Sequence, residues 1–425
     1  MLGFVAAVAV FILVFVRTEV GLYLALLSML LSPEFVLGGG GALAERREIV
    51  LRAEDLLLII IALSWLAKTA VNKELGLVAK TPLNGPIVAY MLVTTIATLV
   101  GFLAGTVKTV AGFLYVLKYL EYFFVYYMVV NNVQDRAQAW RLVRVAFFTA
   151  VVVSLIGLAQ IPSGQRVSTP FEGEAGEPNT FGGYILFMMA LAAGPLLESR
   201  RPRIRALGLG FLGLAALPFL FTLSRASYIG VFPLVGTLAL LSSRRRLMVG
   251  VLVLLLVGSP LVAYFVPTPV VKRVLYTFKP EAGQPTVKLG RVGFDPSTSS
   301  RLLSFREALE AWTERPILGY GVTGFRFLDA QYPRTLVETG LVGLVVFLWL
   351  VWSVLKGGLR AFRTLVDPVE RGLALGFVAG TVGLLTHATG SNTFIIVRIM
   401  EPFWFFAGIV VMLPSLSGGD ENLSG

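Results

Sequence analysis

Arg225 is the residue whose setting most plainly asks for chemistry. It stands in FTLSRASYIG, between two apolar runs with only a few polar residues for a turn. Two readings stand side by side. An arginine at the rim of two spans can snorkel to the interface, or its guanidinium fork can bind an anion such as phosphate. Further arginines lie in two polar stretches: Arg166 in SGQRVSTPF, and Arg273, Arg291, Arg301 and Arg306 between 267 and 335. Singly, each reads as a solvated charge. As a set beside a span-end arginine, they point to an anion such as a diphosphate. The same two stretches and the residues just beyond carry Glu172, Glu174, Glu177, Asp295, Asp329 and Glu338, each a candidate general base. Glu338, in LVETGLVG near the start of a span, can accept hydrogen bonds from a helix N-terminus or face an active cavity.

Other features that could carry chemistry read as structural. GYGVTG at 319–324 matches G-x-G-x-x-G, but no strand precedes it and no βαβ unit surrounds it. Its glycines suit a tight turn. Lys118 with Glu121 and Arg398 with Glu401 lie inside spans at i,i+3 spacing, so each pair is expected to neutralise itself on one helix face. A proton or ion relay is the sharper alternative. His387 is the only histidine and there are no cysteines, so a zinc site is not expected and His387 reads as structural. No cofactor is expected.

Composition sets the frame for these residues. Of 425 residues, 56% are hydrophobic and 14% charged, too apolar for a soluble core to hide. The net charge of +11 suggests nucleic acid at first sight, but most Lys and Arg lie in short loops between spans, as the positive-inside rule places them. No nucleic-acid partner is expected; the lipid bilayer is. The N-terminus lacks a basic n-region and a cleavage site, which reads as an uncleaved span.

Apolar runs predict spans near 2–16, 20–36, 55–71, 84–105, 109–130, 144–161, 180–197, 206–222, 226–242, 247–266, 336–355, 372–389 and 393–413. The short break from Arg17 to Glu19 leaves 12 or 13 spans and the side of the N-terminus open. Basic loops at 198–205, 243–247 and 356–371 share one side, the cytoplasmic one. The fold class is therefore all-α, a polytopic membrane helical bundle. Residues 1–266 and 336–425 form the bundle, and 267–335 is one large external loop. Within it, RLLSFREALEAWTE at 301–314 spaces Leu302, Phe305, Leu309 and Trp312 as one apolar helix face. Ser299 or Ser300 is expected to cap it, and Pro316 to lie just past its end.

Four stretches together resemble the O-antigen ligase and O-antigen polymerase superfamily of bacterial membrane glycosyltransferases. They are QRVSTPFEGEAGEPNTFGGYILF, TLSRASYIG, SRLLSFREALEAWTERPILGYGVTGF and DAQYPRTLVETGLVGL. The likeness covers about 160 to 350, in the family's order and spacing. It implies a polyprenyl-diphosphate-linked oligosaccharide as donor, a glycan acceptor, and an active site on the periplasmic side of the inner membrane. It also implies two arginines on the diphosphate, which map to Arg225 and Arg301, with Arg166 and Arg306 in support. Where ligases carry a loop histidine this sequence has Asp329, and Ala330 stands where asparagine is usual. Those departures point to a repeat-unit polymerase over a ligase that acts on lipid A core or protein. Asp329 is then the first candidate base and Glu338 the second. An aspartate beside arginines has a lowered pKa, so Asp329 is expected to orient the hydroxyl more than to hold its proton. Arginines that stabilise a diphosphate leaving group make a metal unnecessary. The rival from another class is a polysaccharide transporter or flippase, against which stand the lack of an internal repeat and one dominant polar loop.

Overall fold

The computed structural model describes residues 2–36, 50–71, 79–171, 176–257, 267–277, 288–289 and 292–416. Glu172, Glu174 and Arg291 lie outside them. The protein is a polytopic helical bundle. Among the described residues every expected span receives a helix: α1 (Leu2–Val16), α2 (Thr18–Leu31), α3 (Ala53–Val71), α4 (Asn84–Leu103), α5 (Ala111–Asn132), α6 (Arg136–Gln160), α7 (Pro178–Glu198), α8 (Pro202–Phe221), α9 (Arg225–Leu241) and α10 (Arg245–Val257). After the polar segment, with its short helix α11 (Thr268–Tyr276) and longer helix α12 (Pro296–Glu314), come α13 (Gln331–Thr364), α14 (Pro368–His387) and α15 (Val397–Leu416). Eight of these helices are long and apolar enough to cross a membrane. Two short antiparallel hairpins, Glu34–Val36 with Val50–Arg52 and Lys288–Leu289 with Val292–Gly293, are the only strands among the described residues.

The helix limits follow from local chemistry. Pro178, Pro202, Pro296 and Pro368 each open a helix where the missing N–H costs nothing. Asp367 caps α14 by accepting from Val369 N at 2.8 Å and Glu370 N at 3.2 Å. Leu92, Ile96, Leu99 and Leu103 stay exposed along one stripe of α4, the face a membrane helix gives to lipid. Inside, α14 runs against α7 and α9. Gly194 and Gly372 let the α7 and α14 backbones touch, since a Cβ on either would strike the other chain.

Two expectations about the polar segment need correcting. Its long helix starts five residues before Arg301: the cap is Asp295, accepting from Thr298 N at 3.3 Å, and neither Ser299 nor Ser300. Asp-Pro supplies both cap and first helical residue, so it outcompetes the serines. The next span starts at Gln331, not near 336, and Gly340 at φ 67°, ψ −170° breaks it. The glycine loop fills that break. Tyr320 N and Gly321 N donate to Val337 O and Glu338 O, both at 2.9 Å, and Leu341 N donates to Pro316 O at 2.9 Å. GYGVTG is thus a turn, as expected, and also the plug of a helix kink. Gly319 at φ 65° and Gly340 must lack a Cβ, because each backbone lies against the other's segment.

The basic loops gather at one end of the bundle. Arg201 pairs with Asp367 at 3.3 Å, Arg371 with Glu198 at 3.6 Å, and Ser243 N donates to Glu198 at 2.7 Å. The described parts of the polar segment lie at the other end, where they meet Thr98, Thr106 and Arg225. The orientation expected from the positive-inside rule, with that end external, is open to a direct test. With no native cysteine, Ser297→Cys should react with an impermeant thiol reagent in intact cells and Arg360→Cys should not. Equal labelling, or the reverse, would overturn the orientation.

Candidate active site

The end of the bundle opposite the basic loops brings four arginines into one another's field. Arg225 begins α9 behind the cap Ser224, so its side chain leaves at the rim. It makes a two-pronged ion pair with Asp295, Nη1 to Oδ1 at 2.7 Å and Nη2 to Oδ2 at 2.9 Å, and donates to Thr277 Oγ1 at 2.8 Å. Asp295 is fully buried. Burial works to raise its carboxyl, but hydrogen bonds from Arg225 and Thr298 outweigh it and hold the pKa below the ordinary aspartate value. Arg225 therefore latches two points of the polar segment to α9, joining Thr277 at the end of α11 to the cap of α12.

Arg166 comes from the strap between α6 and α7. Val167 N donates to Phe221 O at 3.0 Å, which lays the strap over the end of α8. Arg166 then donates through Nε to Thr222 O at 2.8 Å and through Nη2 to Leu223 O at 3.3 Å. Burial lowers its guanidinium to about 10, Arg273 adds to this, Tyr228 opposes, and Arg225 and Arg301 lower it further. Arg273, on α11, is likewise lowered by burial and then by Arg225, with Asp295 opposing and Arg301 adding. These shifts share one cause: like charges packed together away from water. Arg166 and Arg273 nevertheless stay protonated at neutral pH.

Arg301, in the first turns of α12, donates through Nη2 to Asp329 Oδ2 at 3.0 Å. Nε of Arg301 and Nε of Arg273 are both buried without a hydrogen-bond partner. Four guanidinium groups and two carboxylates leave a positive surplus with unspent donors, an arrangement suited to an anion with several acceptor oxygens. Asp329 keeps 44% of its side chain exposed, so it is within reach of a ligand. Desolvation raises its carboxyl above the ordinary aspartate value although Arg301 and Arg334 pull it down. That reverses the expected lowering: loss of water around the carboxyl outweighs the two arginines.

Other expected site residues are placed elsewhere. Arg306 points to solvent, 77% exposed, and pairs with Glu310 one turn along at 2.8 Å. It is no part of the cluster. Glu338 is buried, accepting from Thr323 N at 3.2 Å and from Arg334 Nε at 3.2 Å. It ties the glycine loop to the kinked α13. Glu177 stands at the N-cap of α7, bonded to Thr180 Oγ1 at 3.0 Å.

The intramembrane pairs also come apart. Lys118 reaches Asp55 of α3 at 2.9 Å rather than pairing only with Glu121. Arg398 donates away from Glu401, to Pro170 O at 2.6 Å and Ser32 O at 3.0 Å. Carbonyls brought in from other segments compete with a helical neighbour and win. His387 is fully buried and bonds Thr393 Oγ1 at 2.7 Å, in keeping with a structural role. Its position is nonetheless near the cluster. The turn after it packs on the stretch holding Asp329, through Gln331 N to Ala388 O at 3.1 Å and Asn392 Nδ2 to Leu328 O at 2.8 Å.

Arg273 is the cluster member that sequence reasoning named but did not choose. The available signal was its place on TPVVKRVLY, a short amphipathic helix opening the polar segment. Among the described residues no group of three or more His, Cys, Asp or Glu side chains could hold a metal.

Residues 209–348 match the family model described as O-antigen ligase, which agrees with the likeness read from the motifs. No curated protein matches the chain. The matched stretch contains Arg225, Arg273, Asp295, Arg301 and Asp329, five of the six residues of the cluster. It supports membrane glycan processing of the O-antigen ligase kind.

Proposed function

We propose, from the O-antigen ligase pattern of residues 209–348, that this protein is a glycosyltransferase acting on a polyprenyl-diphosphate-linked glycan. It works at the outer face of the cytoplasmic membrane and joins repeat units into a polysaccharide. One observation carries the reading: Arg166, Arg225, Arg273 and Arg301 converge at one end of the bundle against two aspartates, with two buried guanidinium donors unspent.

The chemistry fits those parts. The donor's diphosphate is a built-in leaving group, and the guanidinium groups stabilise the charge that grows on it. The acceptor hydroxyl attacks the anomeric carbon, the bond from that carbon to the diphosphate oxygen breaks, and the hydroxyl proton passes to Asp329. The leaving group departs as polyprenyl diphosphate. The arginines take the part that a divalent metal plays in other transferases. Arg301 and Arg273 hold the diphosphate, Arg166 adds charge from the strap, and Arg225 keeps the polar segment docked. An aspartate in place of the ligase histidine favours the polymerase over transfer to lipid A core or protein.

Purified protein supplied with a polyprenyl-diphosphate oligosaccharide should lengthen it by whole repeat units, with excess chelator present. Transfer to a lipid A core acceptor without self-extension would make it a ligase. Movement of the lipid-linked glycan across a vesicle membrane without any new glycosidic bond would replace the enzyme reading with a transporter.

A further inference from the structure

Arg398 has the most unusual setting of any charged residue outside the cluster. It is fully buried, in the first turn of α15. Its two Nη atoms donate to two main-chain carbonyls from distant parts of the chain. Ser32 O belongs to the residue that ends α2, and Pro170 O belongs to the strap that carries Arg166 four residues earlier. One guanidinium thus stitches the strap to the bundle.

The strap has a second anchor, the main-chain bond from Val167 N to Phe221 O. Between the two anchors Val167, Thr169 and Pro170 are buried. Arg166 projects from this stretch into the field of Arg225, Arg273 and Arg301. Like charges repel, and while Thr222 O and Leu223 O hold the Arg166 side chain, the two anchors hold the main chain it leaves from. The turn that leads to Arg398 also grips the opposite wall. Asn392 holds Leu328 O, Gln331 Oε1 accepts from Phe394 N at 3.0 Å, and Gly390 lies beside the Arg301 guanidinium. Residues 388–398 therefore touch both sides: the strap with Arg166, and the segment with Arg301 and Asp329.

We propose that Arg398 is a positioning residue for the anion site. Its clamp on the strap keeps Arg166 beside the arginines that hold the diphosphate, so that its charge acts on the same ligand. This rests on the diphosphate reading above. Arginine suits the task because its planar fork serves two carbonyls at once, whereas a lysine offers one compact ammonium.

The test is a double-mutant cycle on the full chain in detergent, with geranyl diphosphate as probe and binding measured by calorimetry. Arg398→Lys should weaken binding about tenfold, as expected for loss of a charged hydrogen bond. Arg166→Ala should weaken it by a similar or larger factor. If Arg398 acts through Arg166, adding Arg398→Lys to Arg166→Ala should cause little further loss. Losses that multiply would show that Arg398 supports the fold in general, and would overturn the proposal. Pro170→Gly, which loosens the strap but leaves every side chain of the cluster, should mimic Arg398→Lys and guards against a folding defect at Arg398. Wild-type affinity in both Arg398→Lys and Pro170→Gly would also overturn it. Failure of the wild-type protein to bind geranyl diphosphate at all would instead remove the diphosphate reading on which the proposal stands.

Discussion

Arg301→Ala is expected to abolish glycan transfer, with a loss of about 10²–10³ in kcat for removal of one preorganised donor to developing charge. Three observations single this residue out. It is partly exposed, at 20% of its side chain, so a ligand can reach it. It spends one bond on Asp329, and its Nε is buried with no partner. It also sits in the field of Arg166 and Arg273. Arg273→Ala should behave similarly, because its Nε is equally unspent. Arg301→Lys should restore little, since a single ammonium cannot replace the fork. Arg306→Ala, on the solvated face of the same helix, should stay near wild type.

Arg225 calls for a different experiment because Asp295 already fills its fork. If Arg225 is chiefly a latch, Asp295→Asn should damage the protein much as Arg225→Ala does. Breaking either side of a buried pair costs about 3–5 kcal/mol. Direct diphosphate binding would give the opposite pattern, with Asp295→Asn retaining activity because the guanidinium is released to the ligand. Wild-type turnover in Arg301→Ala and Arg273→Ala together would remove the cluster from the mechanism.

Asp329→Asn and Asp329→Ala are expected to fall by the same large factor, about 10²–10⁴ in turnover at saturating donor, the usual contribution of a general base. Sequence alone argued for the reverse, with asparagine retaining clearly more activity, because an aspartate beside arginines is a weak base. Burial overrides that argument here and raises the carboxyl. The sign follows directly. The base works only when ionised, so activity is lost as pH falls through the raised pKa. The acid limb of the kcat profile should therefore lie above the ordinary aspartate value of about 3.9. An asparagine variant close to wild type, with the alanine variant poor, would return Asp329 to an orienting role. Wild-type rates in both would remove it, and with Glu338 committed to Arg334 and Thr323 the search would pass to the carboxylates of 172–177.

The difference between these expectations and those from sequence separates local from non-local information. Run length and charge bias are local, so the helical bundle and the gathering of the basic loops around Arg201 and Arg371 at one end could be read from the chain. Arg225 stood out for the same reason, since a charge at a span end is visible in a dozen residues, whereas Arg301 was singled out by the family resemblance. Side-chain partners are decided by what the fold brings within about 3 Å. Lys118 and Arg398 had suitable carboxylates one turn away, yet Lys118 bonds Asp55, 63 positions distant, and Arg398 bonds carbonyls 228 and 366 positions distant. The kink at Gly340 was likewise hidden, because it needs the glycine loop of 319–324 to supply the hydrogen bonds that the helix gives up. By itself the sequence determined a helical membrane bundle and an arginine-rich polar segment within it, since hydropathy and charge act residue by residue. Tertiary structure alone decided that Arg225 is latched, that Arg273 belongs with Arg166 and Arg301, and that Asp329 has a raised pKa, because desolvation and pairing depend on neighbours that sequence distance does not reveal.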